Sequence, residues 1–174
     1  DDAHYNRVNL DINSIKIPFG ALGTLTSNIH GGFFYGKRPQ YELDYAHFPG
    51  NLVYVKSTSS YIDAFKRFSY YRFSTPDKYF TMFAEWNLKG FLFKKIPLLN
   101  KTGFEEVLAF NAMATPEAGN RIELSAGIDR IGFSVFRGLR FDYIWIFENG
   151  KYLTDNFVVG INLDALSALF TRRG

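Results

Sequence analysis

Apolar and polar residues alternate with a period of two along most of this chain. Phe80, Met82, Ala84, Trp86 and Leu88 hold successive even positions, while Thr81, Glu85, Asn87 and Lys89 fill most of the odd ones. Ile122, Leu124, Ala126 and Ile128 repeat the pattern against Arg121, Glu123, Ser125 and Asp129. Successive side chains of a strand point to opposite faces, so these stretches predict strands with one apolar and one charged face. Tyr5 to Lys16 is a first strand with Val8, Leu10 and Ile12 on one face; the phase then slips to Ile15 and Ile17, which predicts a bulge near Asn13 or Ser14. Pro18-Phe19-Gly20 is a turn, and Ala21 to Tyr35 is a second strand with Leu25, Ile29, Phe33 and Tyr35 opposite Thr24, Thr26, Asn28 and His30.

From Gly36 to Asp63 the alternation degrades, with Pro39, Pro49, Gly50 and the run Lys56 to Ser60 acting as punctuation. Tyr41, Tyr45, Tyr54 and Tyr61 make this segment either a plug, a loop packed at a barrel mouth, or a plain variable loop. Ala64 to Ser74 reads as a weak strand with aromatics on both faces, and Thr75-Pro76-Asp77 as a turn into the strand 79–90. The apolar run Phe91 to Leu99 does not alternate, and Pro97 bars a regular helix or central strand there, so it reads as a short amphipathic turn capping one barrel end. Gly103 to Ala114 is a strand on whose apolar face Glu106 is an exception, tolerable near a strand end. After 121–136, Leu139, Phe141, Tyr143, Trp145 and Phe147 line one side of a strand opposite Arg140, Asp142 and Glu148. The Asn149-Gly150 turn leads to a last strand carrying Phe157, Val159, Ile161 and Leu163.

This amounts to roughly eight strands in antiparallel, up-and-down order over residues 1–164, followed by a tail, 165–174, that breaks phase. Segments of roughly 9–11 residues suffice to cross a bilayer as tilted strands. The expected fold is therefore all-β, an antiparallel up-and-down transmembrane β-barrel or the C-terminal strands of a larger one. On this reading Phe80, Met82, Trp86, Leu88, Ile122, Leu124, Ile128 and Trp145 face lipid, and Glu85, Arg121, Glu123, Asp129, Arg140 and Asp142 face the lumen. There they pair across a filled interior or, in a wider barrel, line water.

Composition supports the same reading. Phe 19, Tyr 11 and Trp 2 make the chain 18% aromatic, yet mean hydropathy is only −0.13, as expected for a lipid-facing belt around a wet interior. No run of eighteen apolar residues is present, which excludes a transmembrane helix and leaves a barrel open. The absence of cysteine removes disulfides and thiolate metal sites. A net charge of +3, with the bases interleaved among 17 acids, does not predict nucleic-acid binding.

The run Tyr79-Phe80-Thr81-Met82-Phe83-Ala84-Glu85-Trp86-Asn87-Leu88-Lys89-Gly90-Phe91-Leu92-Phe93-Lys94-Lys95-Ile96-Pro97-Leu98-Leu99 resembles the C-terminal barrel of an uncharacterised outer-membrane family of Bacteroidota. Glu123-Leu124-Ser125-Ala126-Gly127-Ile128, Arg140-Phe141-Asp142-Tyr143-Ile144-Trp145 and Gly50-Asn51 resemble further parts of it, so that the likeness covers residues 30 to 164. In that family a carboxypeptidase-regulatory-like domain precedes a large barrel. The resemblance implies a bacterial outer-membrane location and supplies no catalytic residues.

Candidate chemistry is sparse. His4, His30 and His47 stand at no metal-ligand spacing, so neither a metal nor another cofactor is expected. His30-Gly31-Gly32 matches the glycine-rich oxyanion loop of esterases, but no Gly-x-Ser-x-Gly elbow accompanies it, and glycines that relieve crowding in a bent strand explain it as well. The expected function is that of an integral outer-membrane barrel without a recognisable catalytic motif, serving a structural, transport or accessory role in a cell-envelope complex. Its expected partners are membrane lipid or lipopolysaccharide and other outer-membrane proteins. The alternatives are a soluble β-barrel whose Trp86, Phe110, Ile122 and Trp145 line a cavity for an apolar ligand, and a barrel-embedded hydrolase.

Overall fold

The computed structural model describes residues 5–37, 39, 41–50, 53–56, 62, 64–68, 72–133 and 136–162. They form one eight-stranded sheet in the order β1-β2-β4-β5-β6-β7-β8-β3. The strands are β1 (Tyr5–Pro18), β2 (Thr24–Gly36), β3 (Val53–Lys56), β4 (Lys78–Asn87), β5 (Glu105–Thr115), β6 (Gly119–Phe133), β7 (Phe136–Glu148) and β8 (Lys151–Asn162). Seven of them pair antiparallel with their neighbours in the sheet, and β3 joins β8 in parallel.

The sheet is open. Its two edges are β1 and β3, and among the described residues nothing pairs them; β3 lies along the free side of β8, with Val53 opposite Val159 and Lys56 opposite Asn162. The expectation of a barrel closed by these strands is corrected accordingly. The up-and-down antiparallel order from β4 to β8 is as the alternation predicts.

The bulge in β1 falls at the phase slip. Ile12 pairs with Ile29 and Ile15 with Ser27, and Ser14 between them has φ 62. The Ser14 N–H donates to the Asn28 side chain at 2.6 Å, which satisfies a donor that the interrupted ladder leaves over. The β7–β8 turn is equally local in origin: Asn149 and Gly150 have φ 50 and 75, both in the left-handed region that a two-residue type I′ hairpin requires.

The expectation of a strand over 64–74 is corrected: the described residues of that stretch, 64–68 and 72–74, hold none. Phe65 makes an isolated bridge to Gly50, and Ala46 bridges Thr75, its N–H donating to the Thr75 carbonyl at 2.9 Å. This irregular segment lies across one face of the sheet, here called the inner face. Ala46, Phe48, Phe65, Phe68 and Phe73 pack there against Phe83 of β4 and Met113 of β5. The rings of Phe65 and Phe83 are 5.0 Å apart, and Phe65 stacks on Phe68 at 4.9 Å. The segment is thus a phenylalanine-rich layer on the inner face, called the plug below; Tyr41 remains exposed, and the side chains of Tyr54 and Tyr61 lie outside the described residues, as does the tail 165–174.

The opposite, outer face is apolar and uncovered. Phe80, Leu108, Leu124, Phe141, Trp145, Phe157 and Val159 are all exposed, Phe80 by 47% and Phe157 by 74%. On the inner face the order is reversed: Arg140 is 0% and Glu123 1% exposed. Adjacent positions of one strand therefore send charge inward and hydrocarbon outward, opposite to the usual partition of a water-soluble sheet.

Candidate functional site

A buried ion is tolerated only when paired, because leaving water costs several kcal/mol per charge. The inner-face charges expected from the alternation include the acids Glu85, Glu123, Asp129 and Asp142 but only the bases Arg121 and Arg140. The strands alone leave that face short of cations. The plug supplies one.

Lys66, fully enclosed, places its ammonium 2.9 Å from Asp142 Oδ1 on β7 and donates to the Ser125 hydroxyl of β6 at 2.6 Å. Arg140 completes this cluster through its Nε, 2.7 Å from Asp142 Oδ2, and its Nη1, 2.7 Å from Glu85 Oε2 on β4. Four segments are thereby joined: β4, β6, β7 and the plug. Burial and the neighbouring Arg140 charge hold the Lys66 ammonium below the usual lysine pKa, and Asp142 and Glu85 oppose that shift.

A second cluster lies beside it. Glu123 accepts the backbone N–H of Lys66 at 2.7 Å and pairs with Arg121 at 2.9 Å. Arg121 also pairs with Glu148 at 2.5 Å and donates to the carbonyl of Arg67, while its guanidinium stands over the Phe68 ring at 5.4 Å. Arg72, half exposed, reaches the other oxygen of Glu148 at 2.7 Å. The plug is held by hydrogen bonds to its backbone as well as by its side chains, so the fixed carboxylate of Glu123 dictates the path of residues 66–68.

Of the six charges expected on the inner face, the structure gathers Glu85, Arg140 and Asp142 in one cluster and Arg121 and Glu123 in the other. Asp129, near the sheet end, accepts the Arg130 N–H at 2.7 Å with its carboxylate, and its charge is felt at Arg140. Ser125 and Glu148, on the polar strand faces that the alternation marks, and Lys66 and Arg72, which the sequence did not single out, complete the network. The signal for Lys66 was the excess of acid over base on the inner strand face.

Of the eight apolar positions, Phe80, Leu124 and Trp145 are exposed and Met82, Trp86, Ile122 and Ile128 half-buried, all on the outer face. Leu88 departs from them at 8% exposure. β4 ends at Asn87, Lys89 turns the chain with φ 51, and the turn that follows folds back so that Phe91 N–H donates to the Leu88 carbonyl at 3.0 Å. The same turn covers Glu106, whose carboxylate accepts the Phe93 N–H at 2.5 Å. Trp86, Phe110, Ile122 and Trp145 thus do not line an interior cavity, as an apolar-ligand barrel requires; a groove of about 520 Å³ between Trp86, Leu108, Phe110 and Trp145 opens on the outer face.

Among the described residues, His30 and His47 belong to different side-chain pairs. His47 Nδ1 lies 2.7 Å from the Ser74 hydroxyl, but Asp11 lies 2.8 Å from His30 Nδ1, so serine and acid sit on different imidazoles. His30, Gly31 and Gly32 lie in β2 between two paired strands, where their N–H groups serve the ladder and are not free to hold an oxyanion. Gly32 meets the crowding expected of it: a Cβ there would stand 2.6 Å from Asn9 Oδ1 and 2.7 Å from the Tyr79 ring. Among the described residues no three His, Asp or Glu side chains form a group able to hold a metal ion.

Residues 1–128 match the family of unknown function DUF5686, in its C-terminal domain. The chain belongs to this family. The match starts and ends earlier than the resemblance over 30–164 implied, and it takes in β1 to β5, the plug and most of β6, whereas Arg140, Asp142 and Glu148 lie beyond it. No curated protein and no solved structure matches the chain. DUF5686 membership carries no activity, so the reading of the site rests on its geometry.

Proposed function

We propose that this DUF5686 domain is a membrane-embedded segment of a bacterial outer-membrane β-barrel, with the apolar outer face against lipid and the plug filling its lumen. One observation carries the reading. Along single strands, residues such as Arg140 and Asp142 are enclosed while Phe141 between them is exposed. Water-soluble monomers rarely leave an apolar patch of more than a few hundred Å² uncovered. A bilayer reverses that cost, because lipid covers hydrocarbon and the polar groups must be satisfied inside.

The strands are long enough for this role. β4, the shortest of the antiparallel set, has 10 residues and β6 has 15, against the roughly 9–11 that a tilted spanning strand needs. Because the sheet is open, the segment belongs with further strands of a larger barrel or with other outer-membrane proteins. The filled and ion-paired interior favours a structural or accessory role in an envelope complex over an open transport path. Lipid or lipopolysaccharide is its principal partner.

The test is partition. The refolded protein is floated on a density gradient with and without phospholipid vesicles. Co-flotation that resists carbonate extraction is the expected result. A soluble, monodisperse protein without detergent that fails to float with vesicles contradicts the reading.

A further inference from the structure

The turn between β4 and β5 folds against the ends of β6 and β7, and four basic side chains line a cavity of about 200 Å³ there: Lys89, Lys94, Arg130 and Arg137. They are brought together by topology. The antiparallel order places the end of β4, the start of β5, the end of β6 and the start of β7 at one end of the sheet. Glu105 is the one carboxylate among the lining residues, and both its oxygens are engaged, one 2.9 Å from Arg130 Nη1 and the other accepting the Asn87 amide at 2.7 Å. Glu106 lies under the same turn on the other face of β5, with one oxygen on the Phe93 N–H. The cavity keeps an excess of positive charge after both acids are counted.

Arg137 is the decisive residue. Its Nε is buried and has no hydrogen-bond partner among the described residues, and its guanidinium rests on Gly103, where a Cβ would stand 2.2 Å from Nη1. Gly103 has φ +70, so this contact and the backbone shape together require glycine. A buried guanidinium donor without an acceptor costs free energy, and a fork of N–H groups matches the oxygens of a phosphate.

We propose that this cavity binds a phosphate group, with Arg137 as the planar fork and Lys89, Lys94 and Arg130 as flanking charges. The assignment of the phosphate stands on the cavity alone; its source, a lipid headgroup or a free phosphate ester, rests for the first case on the membrane reading. Basic pockets at the end of an apolar belt suit lipid headgroups, whose acyl chains then lie along the outer face.

The experiment is calorimetric titration of the protein, folded in a phosphate-free maltoside detergent, with inorganic phosphate and separately with monomeric dihexanoyl phosphatidic acid. Saturable binding of either, weakened about tenfold or more by Arg137→Gln, is the expected result. Lys94→Gln, on the exposed side of the turn and harmless to the fold, should weaken it in the same direction. Tighter binding of the lipid identifies a headgroup site, and equal binding of both identifies a free phosphate site. The phosphate arm needs no membrane, so it stands or falls separately from flotation. No saturable binding of either probe, or unchanged affinity in both variants, overturns the proposal.

Discussion

The ammonium of Lys66 lies 2.9 Å from the carboxylate of Asp142, and the two side chains expose only 1% and 3% of their surface. One comes from an irregular segment and the other from a central strand, so this contact joins plug to wall. Removing Asp142 leaves the buried Lys66 ammonium only the Ser125 hydroxyl, and removing Lys66 leaves the buried Asp142 carboxylate to Arg140 alone. Lys66→Met and Asp142→Asn should each destabilise the fold by about 3–5 kcal/mol, and the double variant by less than the sum. Urea midpoints of the four proteins in detergent check this; additive losses contradict the pairing.

Burial of the Lys66 ammonium, against the pull of Asp142, sets a pH dependence. The folded chain holds the Lys66 pKa below the ordinary value of 10.5, so between that lowered value and 10.5 the unfolded chain binds more protons. The contribution of this group to stability therefore rises as pH increases through that window and is lost as pH falls back through it. Lys66→Met should flatten the rise in stability on the alkaline side, measured as unfolding midpoints from neutral pH upward. An identical slope in the variant would place the alkaline dependence elsewhere.

Gly127 predicts a steric effect that its strand position conceals. A Cβ there would stand 2.2 Å from Asp142 Oδ1 and 2.7 Å from the Phe141 carbonyl. The backbone atom cannot give way as a side chain would, so Gly127→Ala should displace the carboxylate that Lys66 and Arg140 share. The expected loss is about 1–3 kcal/mol, by analogy with overpacking in a filled core. Thermal midpoints within error of the parent protein would contradict the close approach.

Much of the sheet was legible because its causes are local. The slip from Ile12 to Ile15 announced the bulge at Ser14, and Asn149-Gly150 announced the hairpin. The plug was not legible as a folded unit, since Phe65 reaches Phe83 and Lys66 reaches Asp142 only through long-range contacts that no short spacing records. Leu88 was misplaced for a related reason: alternation in the sequence continues past Asn87, where the strand has already ended. The parallel pairing of β3 with β8 follows from neither pattern nor turn chemistry.

Arginine placed on the two faces separates lipid from interior. Ala84→Arg and Ala126→Arg on the outer face should each reduce folding into vesicles by about 2–4 kcal/mol if they lie near the midplane. Asn87→Arg, at a strand end beside Glu105, should be mild because a carboxylate stands 2.7 Å from the amide it replaces. Ser125→Arg is a different case. Ser125 receives the Lys66 ammonium in a filled interior, so an arginine there expels the plug and is not accommodated as it would be in a wet lumen. Folding yields that rank Asn87→Arg below Ala84→Arg would contradict the assignment of faces.

The chain carries two tryptophans, Trp86 and Trp145, and both lie on the outer face. Their fluorescence in vesicles of lipids brominated along the acyl chain tests the central claim directly, because bromine quenches only indoles within its reach. The account predicts strong quenching by acyl-chain bromines and weak quenching by aqueous iodide, for the parent protein and for Trp86→Phe, which isolates Trp145. Emission quenched by iodide and untouched by brominated lipid would place the apolar face in water and contradict the membrane assignment.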